Sequence, residues 1–335
     1  MTLGTGIPSR RFGKVLPRHN LWRIAFAVAF GLLIAACSNA GFPSSESVRV
    51  DESDQETGQA GSENDSEPIP TTPPGPSAVA PSDAGLPITV TRVIDGDSVE
   101  VDSAEGDLVI RLLGLNAPEG DECFGPEAAE LLEDLFGASS QSGTTLHPWP
   151  GETDEFGRQL GFLVVDEIFV NLRLLELGAS VARAQSDHEF IGEFERAEQS
   201  AVDAGLGLWA SDACGIPVAA ELAIVDALAN APGDDRENPN GEWVVIGNLG
   251  DQAVELEGWG IRDESTRHRF TFPQLTLDAG QTLRLRSGCD DNDLDAEPID
   301  FHWCDPEPPI WNNGGDRAFL LDPNGTIVDS LAVGG

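Results

Sequence analysis

Apolar and polar residues alternate in several stretches between Pro87 and about residue 165. The stretch "ITVTRVIDGDSVEVD" alternates and is rich in β-branched residues, and "DGD" interrupts it as a turn, so it predicts two strands joined tightly. "DLVIRLLGL" and "QLGFLVVD" predict later strands. The segments 126–137, 170–178 and 188–205 change to helical spacing and each closes at a glycine, a common helix stop. Strands with helices inserted and appended predict a small barrel packed by helices.

The pattern changes again near residue 220. From Leu222 onward, short apolar stretches alternate with turn residues, with little helical spacing. Seven strands are predicted: "LAIVDAL", "GEWVVIGN", "AVELEGWGI", "RFTFP", "TLRLRSG", "RAFLLD" and "TIVDSLAV". This spacing is typical of an all-β sandwich.

The N-terminus has the pattern of a targeting segment. Five basic residues precede "IAFAVAFGLLIAA", which is too short for a comfortable membrane span. Ile34-Ala35-Ala36-Cys37 resembles the lipobox of bacterial lipoproteins, which implies cleavage before Cys37 and lipid attachment to its sulfur. "SRRFGK" weakly resembles a twin-arginine export signal. An uncleaved anchor is the alternative, and either outcome places the rest of the chain outside the cytoplasm.

Residues 37–86 are rich in Ser, Glu, Asp, Pro and Gly and have almost no large apolar groups. Such a segment buries too little surface to fold, so we expect a disordered acidic tether. Four domains follow from these patterns: a lipoprotein signal peptide at 1–36, the tether at 37–86, a barrel with packed helices at 87–216 and a β-sandwich at 217–335.

The chain is strongly acidic, with 19 Lys and Arg against 58 Asp and Glu and a net charge of −39. A negative surface repels polyanions, so the composition argues against a nucleic-acid binder with a basic groove. Phosphate chemistry would have to rest on a few placed arginines and a cation. The acidity fits life in salt or a simple compositional bias, and the sequence does not separate the two.

Cysteines other than Cys37 number four: Cys123, Cys214, Cys289 and Cys304. An even number in an exported chain indicates disulfides, and four cysteines allow three pairings. The domain boundaries favour Cys123–Cys214 and Cys289–Cys304. The four histidines beyond the leader have no metal-ligand spacing, and we expect them to be structural or surface residues.

A set of charged and polar residues surrounds the predicted strand ends. Its members are Asp95, Asp97, Arg111, Asn116, Glu119 and Arg158. Carboxylate and amide oxygens suit a hard cation such as Ca²⁺. A glutamate can activate a water molecule, and guanidinium groups neutralise charge on phosphate oxygens. Together these residue types point to phosphodiester hydrolysis.

The motifs "VIDGDSVEV", "IRLLGLNAPE" and "DEFGRQLGFLVV", in this order, resemble the thermonuclease-like, or staphylococcal nuclease, family. "LLELGASVA" and "AGLGLW" match its later part. The resemblance covers roughly residues 88 to 213 and implies an oligonucleotide-binding (OB) barrel with Ca²⁺-dependent hydrolysis of DNA or RNA.

The resemblance also implies roles for individual residues. Asp97 and Asn116 would be calcium ligands, with the carbonyl of Ala117 as a third and Asp95 as a carboxylate close to the metal. Glu119 would be the general base. Arg111 and Arg158 would bind the phosphate and its transition state.

Two departures from the family pattern concern the site. Asn116 stands where the best-known pattern has aspartate, which removes a negative charge and should weaken calcium binding. Phe156 replaces a tyrosine, and the lysine-rich surface of the family is absent.

The C-terminal stretches "EWVVIGNLG", "VELEGWGI", "FTFP" and "GGDRAFLLDPNGTIVDS" resemble the lamin tail domain family. The resemblance implies an immunoglobulin-like sandwich, in which no catalytic set is visible. We expect Cys289–Cys304 to close the acidic loop "CDDNDLDAEPIDFHWC", whose carboxylates could bind calcium or simply be solvated.

The sequence thus predicts a mainly β, multidomain chain, with an OB-fold barrel and packed helices (α+β) before an immunoglobulin-like β-sandwich. The expected function is that of an exported, lipid-anchored, calcium-dependent nuclease acting as a monomer on single-stranded or denatured DNA and RNA. Its other expected partners are the membrane, through the N-terminal lipid, and a surface or protein for the sandwich. The alternative is a catalytically degenerate surface binding or adhesion protein that works through the sandwich.

Overall fold

The computed structural model of the protein describes these residues: 79–137, 143–183, 188–265 and 267–334. All of them belong to one compact unit. The expected leader, its Cys37 and most of the expected tether lie outside the described residues. Across the described ranges, no helix has both the length and the apolar character that crossing a bilayer requires.

Eight strands and three α-helices lie in the described residues of the first domain. The strands are β1 (Leu86–Asp95), β2 (Ser98–Ser103), β3 (Gly106–Leu112), β4 (Leu115–Asn116), β5 (Thr144–Thr153), β6 (Gln159–Val165), β7 (Ile168–Phe169) and β8 (Val181–Ala182). The helices are α1 (Gly125–Gly137), α2 (Val170–Glu176) and α3 (Ile191–Ala204). The predicted strands and helices are present, with α3 beginning three residues later than the pattern indicated.

The first sheet closes into a barrel. Its order is β3-β2-β1-β5-β6-β7, and β3 also pairs with β6 in parallel. This last pairing joins the two ends of a five-stranded sheet and removes its free edges, which confirms the predicted OB-like barrel. Apolar residues at alternate positions, such as Val99 and Val101 in β2, fill its interior.

The packed chain begins before the predicted boundary at residue 87. Val79 and Ala80 pack against the barrel core. A hydrogen bond of 2.6 Å joins Asp83 Oδ1 to Nδ1 of His147. The last residues of the predicted tether therefore belong to the folded part. The sequence did not predict this, because a segment rich in Pro and Ser gives no compositional sign that its last residues pack.

The described part of the second domain contains ten strands, where the sequence predicted seven. They are β9 (Leu222–Leu228), β10 (Trp243–Asn248), β11 (Val254–Glu255), β12 (Gly260–Arg262), β13 (Arg269–Thr271), β14 (Thr276–Leu277), β15 (Thr282–Arg286), β16 (Ile299–His302), β17 (Asp316–Leu321) and β18 (Ile327–Val333). Two four-stranded sheets, β16-β15-β10-β9 and β13-β12-β17-β18, enclose one apolar core. This arrangement is consistent with the predicted immunoglobulin-like sandwich.

Both predicted disulfides are present, Cys123–Cys214 and Cys289–Cys304. The second one closes the acidic segment, but that segment is not only a loop. Residues 299–302 form β16, which pairs in parallel with β15. Its apolar residues Ile299 and Phe301 pack into the sandwich core. The acidic residues around them obscured this strand in the sequence pattern.

Strand β17 contributes to two cores at once. Ala318 and Leu320 face the sandwich core, whereas Phe319 between them is fully buried in the core of the first domain. Because side chains alternate across a strand, one strand can serve both sides. The guanidinium of Arg262 lies 4.2 Å from the centre of the Phe319 ring. Burial of such a ring contributes about 1.5–3 kcal/mol, so the two domains share part of their stabilisation.

A buried acid in the second domain makes its stability depend on pH. Burial raises the pKa of Glu242 to about 7, although an N–H of Ile310 bonds its carboxylate. Glu242 therefore holds its proton in the folded state at a pH where the unfolded chain has lost it. The free energy of unfolding should fall as pH rises from about 4.5 toward about 7.

Glu242→Gln should remove this dependence, because the amide is neutral at every pH. We expect the variant to be more stable than the wild type at pH 8 by up to about 3 kcal/mol, and close to it at pH 4.5. Urea unfolding of both proteins at the two pH values measures the difference. An unchanged pH slope in the variant would contradict the assignment.

Candidate functional site

The turn between β1 and β2 places two carboxylates at one end of the barrel. The backbone N–H of Asp97 donates to Asp95 Oδ1 at 3.0 Å, and Ser98 Oγ donates to Asp97 Oδ1 at 2.9 Å. A Cβ on Gly96 would lie 2.7 Å from the Cβ of Ala117. Only glycine allows this close approach, so the turn is pressed against the chain that follows β4.

Arg111 is the centre of a buried network at this end of the barrel. Its Nη2 lies 2.8 Å from Asp97 Oδ2 and donates to Asn116 Oδ1 at 2.6 Å. Its Nη1 donates to the carbonyls of Leu112 and Leu115 at 2.9 and 3.0 Å. Three hydrogen bonds and one ion pair therefore engage both terminal nitrogens of the guanidinium, which fixes its plane.

The charge balance of this network is unfavourable for Asp97. Burial raises the pKa of Asp97 to about 6, the nearby Arg111 guanidinium opposes the rise, and the charge of Asp95 adds to it. The N–H of Ala117 also bonds Asp97 Oδ2 at 2.8 Å. A second positive charge near the two aspartates would therefore stabilise their ionised forms.

Glu119 lies on an exposed loop that the following residues hold in shape. Its N–H donates to Glu122 Oε2 at 3.0 Å, and the N–H of Glu122 donates back to the Glu119 carbonyl at 2.9 Å. At the start of α1, a Cβ on Gly125 would lie 1.9 Å from the same carbonyl, so that position requires glycine. The loop thus has a defined conformation although its carboxylate is exposed.

The carboxylate of Glu119 is within electrostatic reach of the other site residues. Partial burial raises its pKa, and the charges of Asp95 and Glu122 raise it further. Arg111 and Arg158 lower it. The charges of both arginines therefore act on Glu119.

Arg158 enters the site from the turn before β6. Its Nε pairs with Asp154 Oδ2 at 2.5 Å, while Asp154 Oδ1 accepts the N–H groups of Phe156 and Arg158. Its Nη1 donates to Ser98 Oγ at 3.1 Å, and this hydroxyl in turn bonds Asp97. Its side chain is 28% exposed, so Arg158 is more open to a ligand than Arg111.

Three residues of the site were missed by the sequence analysis. Arg183 follows β8, and its charge lowers the pKa of the already buried Arg111. Ser98 links Arg158 to Asp97, and Asp154 pairs with Arg158. Asp154 had a signal, because it lies four residues before Arg158, but nothing in the sequence near Arg183 connects it to the site.

The donor set fits a hard divalent cation in kind. Asp95 and Asp97 offer carboxylate oxygens, Asn116 an amide oxygen and Ala117 a carbonyl, all of which are types that Ca²⁺ accepts. Within the described part of the chain, no three His, Cys, Asp or Glu side chains form a metal cluster. A cation here would therefore depend on the amide and carbonyl oxygens. It would also have to share the Asp97 and Asn116 oxygens with Arg111.

Comparison with known proteins agrees with this division of the chain. Residues 109–211 match the family model described as staphylococcal nuclease homologue. Residues 217–335 match the model described as lamin tail domain.

Relatives of the first domain occur in bacteria and plants. The chain is 30% identical over 92 residues to an "uncharacterized endonuclease" of Escherichia coli O157:H7 and spans 57% of its length. It is 27% identical over 124 residues to an "uncharacterized endonuclease" of Haemophilus influenzae and spans 66% of it. A "probable staphylococcal-like nuclease" of Oryza sativa subsp. japonica is 31% identical over 102 residues, with 25% of its length covered. These matches cover 27%, 37% and 30% of this chain.

The motifs, the closed barrel and the two matched models agree, and the chain therefore carries a staphylococcal nuclease homologue domain followed by a lamin tail domain.

Proposed function

We propose that this protein is a calcium-dependent nuclease, exported and lipid-anchored, that hydrolyses phosphodiester bonds of DNA or RNA outside the cytoplasm. The observation that carries the proposal is the position of both arginines at the Asp95–Asp97 turn, where Arg111 pairs with Asp97 and Arg158 reaches it through Ser98. The charges of both arginines also act on Glu119. The names of the bacterial relatives, both endonucleases, support the same reaction class.

The chain's own groups supply most of the chemistry. The Glu119 carboxylate accepts a proton from a water molecule, whose oxygen forms a bond to phosphorus while the bond to the sugar oxygen breaks. The departing oxygen takes a proton from solvent. Arg158, together with the positive charge of Arg111, stabilises the charge that develops on the phosphate oxygens.

Asp97, Asn116 and the Ala117 carbonyl would hold the calcium ion, with Asp95 close by. When bound, the ion supplies positive charge that draws the phosphate toward Glu119 and neutralises its developing charge. The replacement of aspartate by Asn116 leaves fewer negative charges around it, so we expect weak binding.

Export and anchoring rest on the N-terminal pattern and on the cysteines. The basic and apolar segments before Cys37 have the order of a lipoprotein leader. The two disulfides fit an oxidising compartment. We propose the domain boundaries 1–36, 37–86, 87–216 and 217–335 for this chain. Residues of the tether from Val79 onward pack against the barrel core.

The substrate class follows from charge and from exposure. Beyond Cys37 the chain has 14 basic and 58 acidic residues, a balance of −44, so it repels long polyanions at low salt. Short or single-stranded DNA and RNA are repelled less than long duplexes, and abundant cations screen the repulsion that remains. The protein should therefore work poorly in dilute buffer.

Cleavage of single-stranded DNA by the full chain tests the proposal. We expect cleavage in the presence of millimolar Ca²⁺ and a loss of at least about 100-fold when a chelator removes it, because a bound cation contributes several kcal/mol to such a transition state. Restoring Ca²⁺ should restore the rate. Cleavage that is indifferent to the chelator would overturn the calcium dependence.

A catalytically degenerate binding protein is the second candidate. The contacts of Arg111 favour it, because both terminal nitrogens of its guanidinium are already engaged inside the protein. The absence of cleavage of DNA and RNA at every calcium and salt concentration would favour this candidate. The sandwich would then carry the binding function, toward a surface or another protein.

A further inference from the structure

The loop that carries the site residues, from Asn116 to Glu122, is contacted by the lamin tail domain at two separate points. The first contact is at Asn116, whose Nδ2 donates to the backbone carbonyl of Glu264 at 3.3 Å. Asn116 is 5% exposed, and Glu264 is fully buried. The contact therefore lies inside the protein, away from competing water.

This contact fixes which way the Asn116 amide faces. With its NH₂ group committed to Glu264, its Oδ1 is directed at Arg111. An aspartate in this position would oppose a carboxylate oxygen to a carbonyl oxygen in a buried place, which is unfavourable. The asparagine at this position is therefore matched to the docked domain, and not only a weaker metal ligand.

The second contact is at the other end of the same loop. Arg269, at the start of β13, pairs with Glu122 Oε1. The second oxygen of this carboxylate accepts the N–H of Glu119. One side chain thus connects the lamin tail domain to the backbone of the proposed general base.

The same part of the lamin tail domain reaches a third site residue. The Glu264 carboxylate lies 4.0 Å from Arg183 Nε, and Arg183 is close enough to lower the pKa of Arg111. The turn between β12 and β13 and its flanking residues therefore contact Asn116, Glu122 and Arg183 together. All three contacts come from the segment 264–269.

We propose that the lamin tail domain is a working part of the nuclease site, with Glu264 and Arg269 as positioning residues for the loop that carries Asn116 and Glu119. This inference rests on the proposed nuclease function and assigns a role to the second domain. Loss of these contacts leaves the fold of the barrel in place but frees the loop, so turnover falls while substrate binding by Arg158 persists.

Three full-chain variants and one conservative replacement, Arg269→Lys, test it. Asn116→Asp removes the donor to Glu264, and Arg269→Gln removes the charge that holds Glu122. Arg173→Gln is the control, because it also breaks a partly exposed Arg–Glu ion pair, Arg173–Glu176, within the first domain at α2. Hydrogen–deuterium exchange of peptides covering 116–125 and 263–269, and kcat and KM on single-stranded DNA, are measured for each.

We expect faster exchange in 116–125 for Arg269→Gln and in 263–269 for Asn116→Asp, with wild-type exchange in the control. For Arg269→Gln, kcat should fall about tenfold with little change in KM, because the loop that carries the base is misplaced and the phosphate contacts are not. Arg269→Lys, which keeps the charge, should recover part of that loss.

Unchanged exchange in both segments would overturn the proposal, whatever the activity. Faster exchange in Arg269→Gln with unaltered kcat would overturn it too, because the contact would then be structural only. The exchange measurement needs no cleavage, so a protein without nuclease activity would still report whether the domain holds the loop. In that case the proposed function fails and the docking contact stands.

Discussion

Glu119→Gln should lose about 10²–10⁴-fold in turnover of single-stranded DNA and keep its stability. The amide cannot accept a proton from water, and a positioned general base contributes about this factor. Glu119 is exposed, and its backbone bonds to Glu122 do not involve its side chain. The substitution should therefore affect the reaction without disturbing the loop. Turnover is measured at saturating calcium, and stability by thermal unfolding.

The matched control for this prediction is Glu127→Gln. Glu127 lies in the first turn of α1, close in sequence and also exposed, and it takes no part in the site. The control should cleave at the wild-type rate. Equal turnover by Glu119→Gln and wild type would remove Glu119 from the mechanism and leave the base to be found elsewhere.

Arg317→Ala should lower the free energy of unfolding by about 3 kcal/mol, because it removes an ion pair between the two domains. Arg317 Nη2 donates to Glu198 Oε2 at 2.7 Å and to the Ala182 carbonyl at 3.3 Å, across the domain interface. The side chain of Glu198 is 6% exposed. Removing the arginine leaves a buried carboxylate without its partner, a change that costs about 3–5 kcal/mol in fully buried pairs. The lower end applies because the arginine is 18% exposed.

Arg196→Ala provides the comparison for this prediction. Arg196 also pairs with a glutamate on α3, Glu193, but it is 73% exposed. Exposed pairs contribute about 0–1 kcal/mol. Urea unfolding of the two variants should therefore separate them clearly. Equal losses would mean that the Arg317–Glu198 pair does not join the domains in solution.

Contacts between candidate site residues could be predicted where those residues lie in short local motifs. "DGD" predicts a tight turn, and Arg111 and Asn116 are five residues apart around the end of a strand, so their contact is local. Arg183 was not predictable, because β8 brings it to the site through pairing with β4, a contact distant in sequence. The sequence also could not reveal that Glu264 lies against Asn116, 148 residues away.

One strand and one docking contact were missed where another property hid the pattern. Strand β5 contains Pro148 and Pro150, which argue against a strand, yet it pairs with β1 and β6. The run Ala318-Phe319-Leu320 reads as a buried strand, and periodicity cannot indicate that its middle residue enters a different core. Docking between domains is a property of surfaces, and it leaves no periodic signal in a single chain.

The shared position of Phe319 limits how this pair of modules could be exchanged by recombination. A lamin tail domain transferred to another protein would expose the apolar ring of Phe319 to a surface that has no site for it. The barrel left behind would have an unfilled apolar cavity where the ring was. Recombination at the boundary near residue 217 would therefore yield two aggregation-prone domains unless Phe319 and the apolar site that buries it were transferred together.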